Sequence, residues 1–373
     1  MIKYLGSKRR LVPMLGAIVR AAGANTALDL FSGTSRVGQE FKRAGAHVTS
    51  VDNARYAHTF ARCYVATDAT AVDIDELDAV IARLNALEGH DGYVTETFCR
   101  QARFFQPHNG QRIDAIRDVI GAEYAGSALE PLLLTSLLEA ADRVDSTTGV
   151  QMAYLKQWAP RSFNRLELRR PELIAGPGRA VLGDAVELVA RLGSFDLAYF
   201  DPPYNQHRYV ANYHVWETIV AWDRPEHYGL ARKRVDIRDS DSTRSAFNLR
   251  REMPVALREC VEAVDASLVV VSYNDEAWLS LDQLVDMCTS RGEVVVLGFG
   301  SRRYVGAQIG IHNPNGERVG EVSHLHNTEY LIVAGAGAAR IVDEAGLREA
   351  LMTTSLPSAA VVPSAHSTDS GHK

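Results

Sequence analysis

Apolar positions along the chain follow two patterns. Short, mostly apolar runs recur at 26–31, 47–51 and 195–200, and again near 268–273, 293–299 and 329–335. They lack the one-in-two alternation of a strand with one wet face, so they suit strands buried on both sides. Between them the spacing changes to the three-to-four period of helices, over 39–44, 73–88 and 254–265, with a strand–helix–strand unit expected over 179–200. Alternating β and α elements of this kind predict an α/β fold: a mostly parallel sheet with helices on both faces.

The β–α alternation stops between 89 and 178. The run 132–138 (LLLTSLL) has the length and spacing of a buried helix, and 145–149 (DSTTG) reads as a turn between helices. The chain therefore divides into two parts of one domain, 1–88 and 179–336, around a mostly helical insert, 89–178. The stretch from 201 to 250 reads as loop-rich. Beyond 337 one helical stretch is expected at 343–352. The remainder, rich in Ser, Pro, Ala and His, is expected to be disordered to residue 373.

Composition narrows the class. The 373 residues suffice for a sizeable core and an inserted segment, and 46% hydrophobic with 23% charged residues is ordinary for a globular chain. No apolar run of about 18 residues is present, so no membrane span is expected. The N-terminus carries no signal-like apolar core. Cys63, Cys99, Cys260 and Cys288 stand far apart with no C-x-x-C pair, which speaks for buried thiols and a cytoplasmic protein, and against a zinc site. The net charge of -6 does not by itself favour nucleic acid. Basic residues cluster in residues 1–20, at 161–179 and at 224–258, while acid gathers around 68–88, so a basic DNA-facing surface on an acidic body is expected.

The chemistry sits where strands end. After the first strand, 32–38 (SGTSRVG) is a small-residue turn opening a helix, and Gly33 and Gly38 allow close backbone approach to a ligand. Asp52 closes the second strand roughly 20 residues on, where an acid bonds both hydroxyls of a ribose. Thr34 and Ser35 stand in place of a second glycine, which disfavours a pyrophosphate and suits S-adenosylmethionine. At the end of the 195–200 strand stands Asp201-Pro202-Pro203-Tyr204. The prolines fix the backbone and leave carbonyls free to accept, Asp201 adds a carboxylate acceptor, and Tyr204 offers a ring face. That set suits a planar exocyclic amine such as that of adenine.

In this order the motifs resemble the Dam-like, alpha-group DNA adenine-N6 methyltransferases, over residues 1 to about 335. The matching segments are Tyr4-Leu-Gly-Ser-Lys8, Asp29-Leu-Phe-Ser-Gly33, Asp52, Leu182-Gly-Asp184, Asp201 to Tyr204, and Ser272-Tyr-Asn-Asp275. The resemblance implies a Rossmann-like S-adenosylmethionine-dependent fold with the insert as a target-recognition domain, and no metal. It implies that Tyr4 and Lys8 approach the cofactor, with Lys8 on the methionine carboxylate. Phe31 would pack beside the methionine, and Asp184 would accept from the cofactor adenine or simply cap a strand end. Asp29 would bind the cofactor amino group or anchor the turn. Asp201, Pro202 and Tyr204 would hold the target amine. The base would be flipped from double-stranded DNA, with His207, Arg208 and Tyr209 on the substrate side, and Trp216 in a helix core. A cognate restriction endonuclease is a possible partner. RNA adenine, cytosine-N4 and a catalytically degenerate DNA-binding module remain alternatives.

Overall fold

The computed structural model describes residues 2–4, 8, 10–203, 209–239, 245–302, 311–312, 318–320 and 326–348. Its centre is a seven-stranded sheet. The strands are β1 (Thr26–Asp29), β2 (His47–Asp52), β3 (Gly178–Leu182), β4 (Phe195–Phe200), β5 (Ala266–Asn274), β6 (Val294–Arg302) and β7 (His326–Gly335). Their spatial order is β3-β2-β1-β4-β5-β7-β6. β3, β2, β1, β4 and β5 run parallel, and β7 enters antiparallel between β5 and β6. The α/β fold expected from the sequence is the one observed.

Both faces of the sheet's centre are buried, which is why its strands are mostly apolar. Along β4 and β5, Leu197, Tyr199, Leu268 and Val270 enter one core with α1 (Val12–Ala22) and α2 (Arg36–Arg43). The alternate residues Ala198, Phe200, Val269 and Val271 enter a second core with α8 (Met253–Ala263) and α9 (Leu281–Thr289). Burying one such aliphatic side chain stabilises by roughly 1.5–3 kcal/mol.

A third core joins the helices of the insert to helices outside it. α5 (Pro107–Glu123) and α6 (Glu130–Val144) pack with α3 (Arg55–Ala61), α4 (Ile74–Ala86) and α7 (His214–Ala221) through residues such as Phe60, Leu84, Phe105, Leu137 and Trp216. The run 132–138 lies in α6, as its period predicts. The turn at 145–149 leads into irregular chain instead of another helix, and the only regular piece among the described residues from there to β3 is the 3-10 turn Pro160–Phe163. Trp216 is buried in α7, which shortens the loop-rich stretch expected up to 250.

The last helix, α10 (Ala338–Glu344), starts earlier than the 343–352 expected from the sequence. Ala338, Ile341 and Val342 are buried in the same core as α1, so tertiary contacts set this helix. All four cysteines are free and buried, and burial pushes their thiols up. No described helix is long and apolar enough to cross a membrane.

Candidate active site

The C-terminal ends of β1, β2 and β4 open onto one cleft. Tyr4, Lys8, Asp29, Phe31, Gly33, Asp52, Asp184 and Asp201 all line this cavity. Residues scattered over the first two hundred positions meet here because the parallel strands align their ends.

The turn after β1 is built for close approach. Gly33 has φ +50° and its N–H donates to Asp52 Oδ2 at 2.8 Å. A side-chain carbon at Gly33 would stand 3.2 Å from the Tyr4 ring. Ser35 takes the left-handed conformation (φ 57°) that a glycine ordinarily supplies, and its N–H bonds Ser32 O at 2.6 Å. The hydroxyls of Ser32, Ser35 and Ser50 are buried without a hydrogen-bond partner among the described residues, and Ser32 lines the cavity. Buried polar atoms left in that state are where a ligand's polar groups are needed.

Three carboxylates face this end. Asp52 also accepts from Ala54 N at 2.9 Å, so each oxygen carries one backbone bond and retains acceptor capacity toward paired hydroxyls. Burial pushes its carboxyl up. Asp29 is almost fully enclosed, accepts from Gly38 N at 3.0 Å, and is pushed up to about 7, chiefly by burial. Asp184 accepts from Val186 N at 2.9 Å and caps the short helix Ala185–Leu188. This is a helix N-cap, not a strand-end cap, and the residue also borders the cavity.

Tyr4 closes one side. Its ring stacks on Tyr213 with centroids 4.6 Å apart, and its hydroxyl lies 3.3 Å from that of Tyr56. Phe31 meets Phe247 edge-on at 4.8 Å. Phe247, with Ser245 and Asn248, completes a wall that the sequence did not disclose. A lone aromatic in a polar, aperiodic stretch carries no pattern to read.

Asp201 stands immediately after β4, across β1 from Asp52. Its Oδ1 accepts from Ser272 Oγ at 3.0 Å and from Lys8 Nζ at 3.1 Å. Tyr199 and Ser272 hydroxyls are 2.7 Å apart. Since Ser272 donates onward to Asp201, Tyr199 donates to Ser272, and burial holds the Tyr199 phenol well above its ordinary value. Lys8 is buried and also pairs with Glu329 on β7. Asp201 is pushed up by burial, opposed by Lys8 and reinforced by Glu329. Pro202 is buried and Pro203 lines the cavity. Tyr204, His207 and Arg208 lie outside the described residues, as does the side chain of Tyr209, which opens the short helix Tyr209–Asn212. Glu329 was not singled out in the sequence. Its signal was an acid at the edge of the apolar run that follows it in this strand.

A family model described as D12 class N6 adenine-specific DNA methyltransferase matches residues 4–287. The chain is 28% identical over 304 residues to "Modification methylase StsI" of Streptococcus sanguinis, covering 77% of this chain and 46% of that protein. It is 28% identical over 319 residues to "Type II methyltransferase M.NlaIII" of Neisseria lactamica, covering 81% and 92%. It is 27% identical over 312 residues to "Type II methyltransferase M.FokI" of Planomicrobium okeanokoites, covering 78% and 47%. The match thus spans about half the length of two of these relatives and nearly all of the third.

Proposed function

Since the chain belongs to the D12 class N6 adenine-specific DNA methyltransferases, we propose that it transfers a methyl group from S-adenosylmethionine to N6 of an adenine flipped out of double-stranded DNA. The observation that carries this reading is the shared cavity: Asp52, the Gly33 turn and the Asp201 carboxylate all line it. S-adenosylmethionine, when bound, supplies a methyl already activated on a sulfonium. The residues present fit it. Asp52 retains acceptor capacity for ribose hydroxyls, Phe31 and Phe247 offer apolar faces, Asp29 offers a buried acceptor for an ammonium, and Asp184 borders the same space.

The protein's own task is then at the amine. The lone pair of adenine N6 is delocalised into the ring. Hydrogen bonds from N6 to Asp201 and to a proline carbonyl favour a more tetrahedral nitrogen, and the carboxylate stabilises positive charge developing there. The cavity also holds the reacting groups in one orientation away from bulk water. The extra proton leaves N6 after transfer and goes to water, so Asp201 is not assigned the role of a general base. We assign Tyr204, His207, Arg208 and Tyr209 to the base and its flanking phosphates.

The insert, 89–178, is assigned to target recognition. In support, Gln151 joins the insert to the segment after the catalytic loop: its N–H donates to Asn212 O at 2.8 Å, and its Oε1 accepts from Val215 N at 2.8 Å. Relatives named type II methyltransferases favour a restriction-modification setting, with an endonuclease of the same target as partner.

The test is mass spectrometry of nucleosides from plasmid DNA incubated with the protein and methyl-labelled cofactor, beside Asp201→Ala. Labelled N6-methyladenine that disappears in the variant, while cofactor binding persists, is the expected result. Wild-type methylation by Asp201→Ala would overturn the site assignment. Label only in N4-methylcytosine, or only in RNA, would overturn the substrate.

A further inference from the structure

Lys8 is one ammonium between two carboxylates. Its Nζ is 3.1 Å from Asp201 Oδ1 and also pairs with Glu329 Oε1, and only 6% of the lysine side chain is exposed. Asp201 and Glu329 are 22% and 18% exposed, so all three charges sit largely away from bulk solvent. Glu329 arrives from β7, the antiparallel strand paired to β5, where its backbone faces Asn274 in the register. The neighbouring residues fix that position, since Thr328 N donates to Asp275 Oδ2 at 2.8 Å and Asp275 N donates to Thr328 O at 3.0 Å. The polar motif 272–275 thus fastens Glu329 on one side and, through Ser272, Asp201 on the other.

We propose that Glu329 is a positioning residue for methyl transfer, acting through Lys8 to keep Asp201 a strong acceptor for the target amine. This rests on the adenine-methylating reading above. With Lys8 bound to Asp201 alone, the pair would be neutral, and much of the carboxylate's negative potential would be spent on the ammonium. With Glu329 present the trio carries a net single negative charge, and Lys8 is shared. N6 gains positive charge as its bond to the methyl carbon forms and the carbon–sulfur bond breaks, and it then loses a proton to water. A net negative cluster beside N6 lowers the energy of that charge. Geometry points the same way. Lys8 and Ser272 both bind Oδ1, and Oδ2 has no hydrogen-bond partner among the described residues, so the clamp leaves one oxygen for the amine.

The experiment is steady-state methylation of plasmid DNA by the full chain, comparing wild type, Glu329→Gln and Glu329→Asp, with Lys8→Met and Lys8→Met/Glu329→Gln completing a cycle. Glu329→Gln keeps size and removes charge. Its kcat should fall roughly 10–100-fold, with KM for cofactor and DNA changed by about twofold or less and thermal stability close to wild type. Glu329→Asp should recover most of the loss. In the cycle, Glu329→Gln should add little to Lys8→Met, because residues that act as a unit are not additive. A wild-type kcat in Glu329→Gln overturns the proposal. So does a loss confined to KM, or an equal loss in Gln and Asp variants that both melt early, which marks a structural role. So does full additivity with Lys8→Met. If wild-type protein methylates no adenine in DNA, the functional reading itself has failed, which the other arms do not mimic.

Discussion

At the residue scale, Asp29 is the group whose two sequence-level readings the geometry makes separable. Its carboxyl is pushed up to about 7, burial being the largest cause, although Gly38 N–H opposes the shift. A folded-state value above the ordinary carboxylate range means that the folded protein binds this proton more tightly than the unfolded chain. Asp29 therefore contributes stability that grows as pH falls from about 7 toward the ordinary carboxylate value of 3.8 and is lost as pH rises back through about 7. A cationic amino group docking on Asp29 reverses the preference, because it requires the ionised form. Cofactor affinity should then weaken as pH drops below about 7, with proton release on binding, and Asp29→Asn should flatten the dependence. Calorimetric titration between about pH 5.5 and 8.5, in buffers of different ionisation enthalpy, reads both quantities. A pH-independent affinity in the wild type would leave Asp29 only as the anchor of Gly38.

At the element scale, the turn from β1 to α2 binds sequence to site most closely. Gly33 is held at φ +50°, and an added side-chain carbon would stand 3.2 Å from the Tyr4 ring. Gly33→Ala should destabilise by roughly 1–2 kcal/mol through left-handed strain alone. It should also weaken cofactor binding, because Tyr4 must shift along the cavity wall. Denaturant unfolding and cofactor titration of the same variant check the two effects. Ser35→Gly relaxes the other left-handed residue, φ 57°, and should be neutral or stabilising by about 0.5–1 kcal/mol. The strands were legible because burial on both faces writes itself as mostly apolar runs, and Asp52 and Asp201 were legible because they stand where those runs stop. Ser245 to Asn248 were not, since a wall made by an aperiodic loop has no period. α10 was misplaced because Ala338, Ile341 and Val342 answer to α1 across the fold instead of to their neighbours in sequence. The insert's long irregular exit was hidden for a related reason: its turn signal at 145–149 is real, but what it leads to is fixed by side chains elsewhere.

At the scale of the whole molecule, many of the basic residues that suggested a DNA face are spent on internal bonds. Arg234 is buried and pairs with Asp223 and Asp236 at 2.6 and 2.7 Å, Arg170 meets Asp78 at 2.6 Å, and Arg10 donates to Gly300 O at 2.7 Å. Lys3 and Arg161 belong to a node that joins the N-terminal segment to the exit of α6. Lys3 Nζ lies 3.0 Å from Asp142 Oδ2 and 3.2 Å from Asp145 Oδ1, and Arg161 donates to Asp145 Oδ1 from Nε at 2.9 Å and from Nη2 at 2.6 Å. Asp145 is only 2% exposed, whereas Lys3 and Arg161 side chains are about a third exposed. Removing the acid thus leaves two cations that water can partly reach, so the loss should be below that for a wholly buried pair. Asp145→Ala is expected to destabilise by about 2 kcal/mol, against less than about 0.5 kcal/mol for Asp78→Ala, whose pair with Arg170 is exposed on both sides. Lys3 immediately precedes Tyr4, which borders the cavity at the strand ends. Loosening the node should therefore raise the cofactor KM in Asp145→Ala but not in Asp78→Ala. Thermal melts and cofactor titrations of the two variants, side by side, separate the outcomes. A stability loss in Asp145→Ala without any change in cofactor KM would mean that the node holds the insert alone, and that Tyr4 is positioned by its stack on Tyr213.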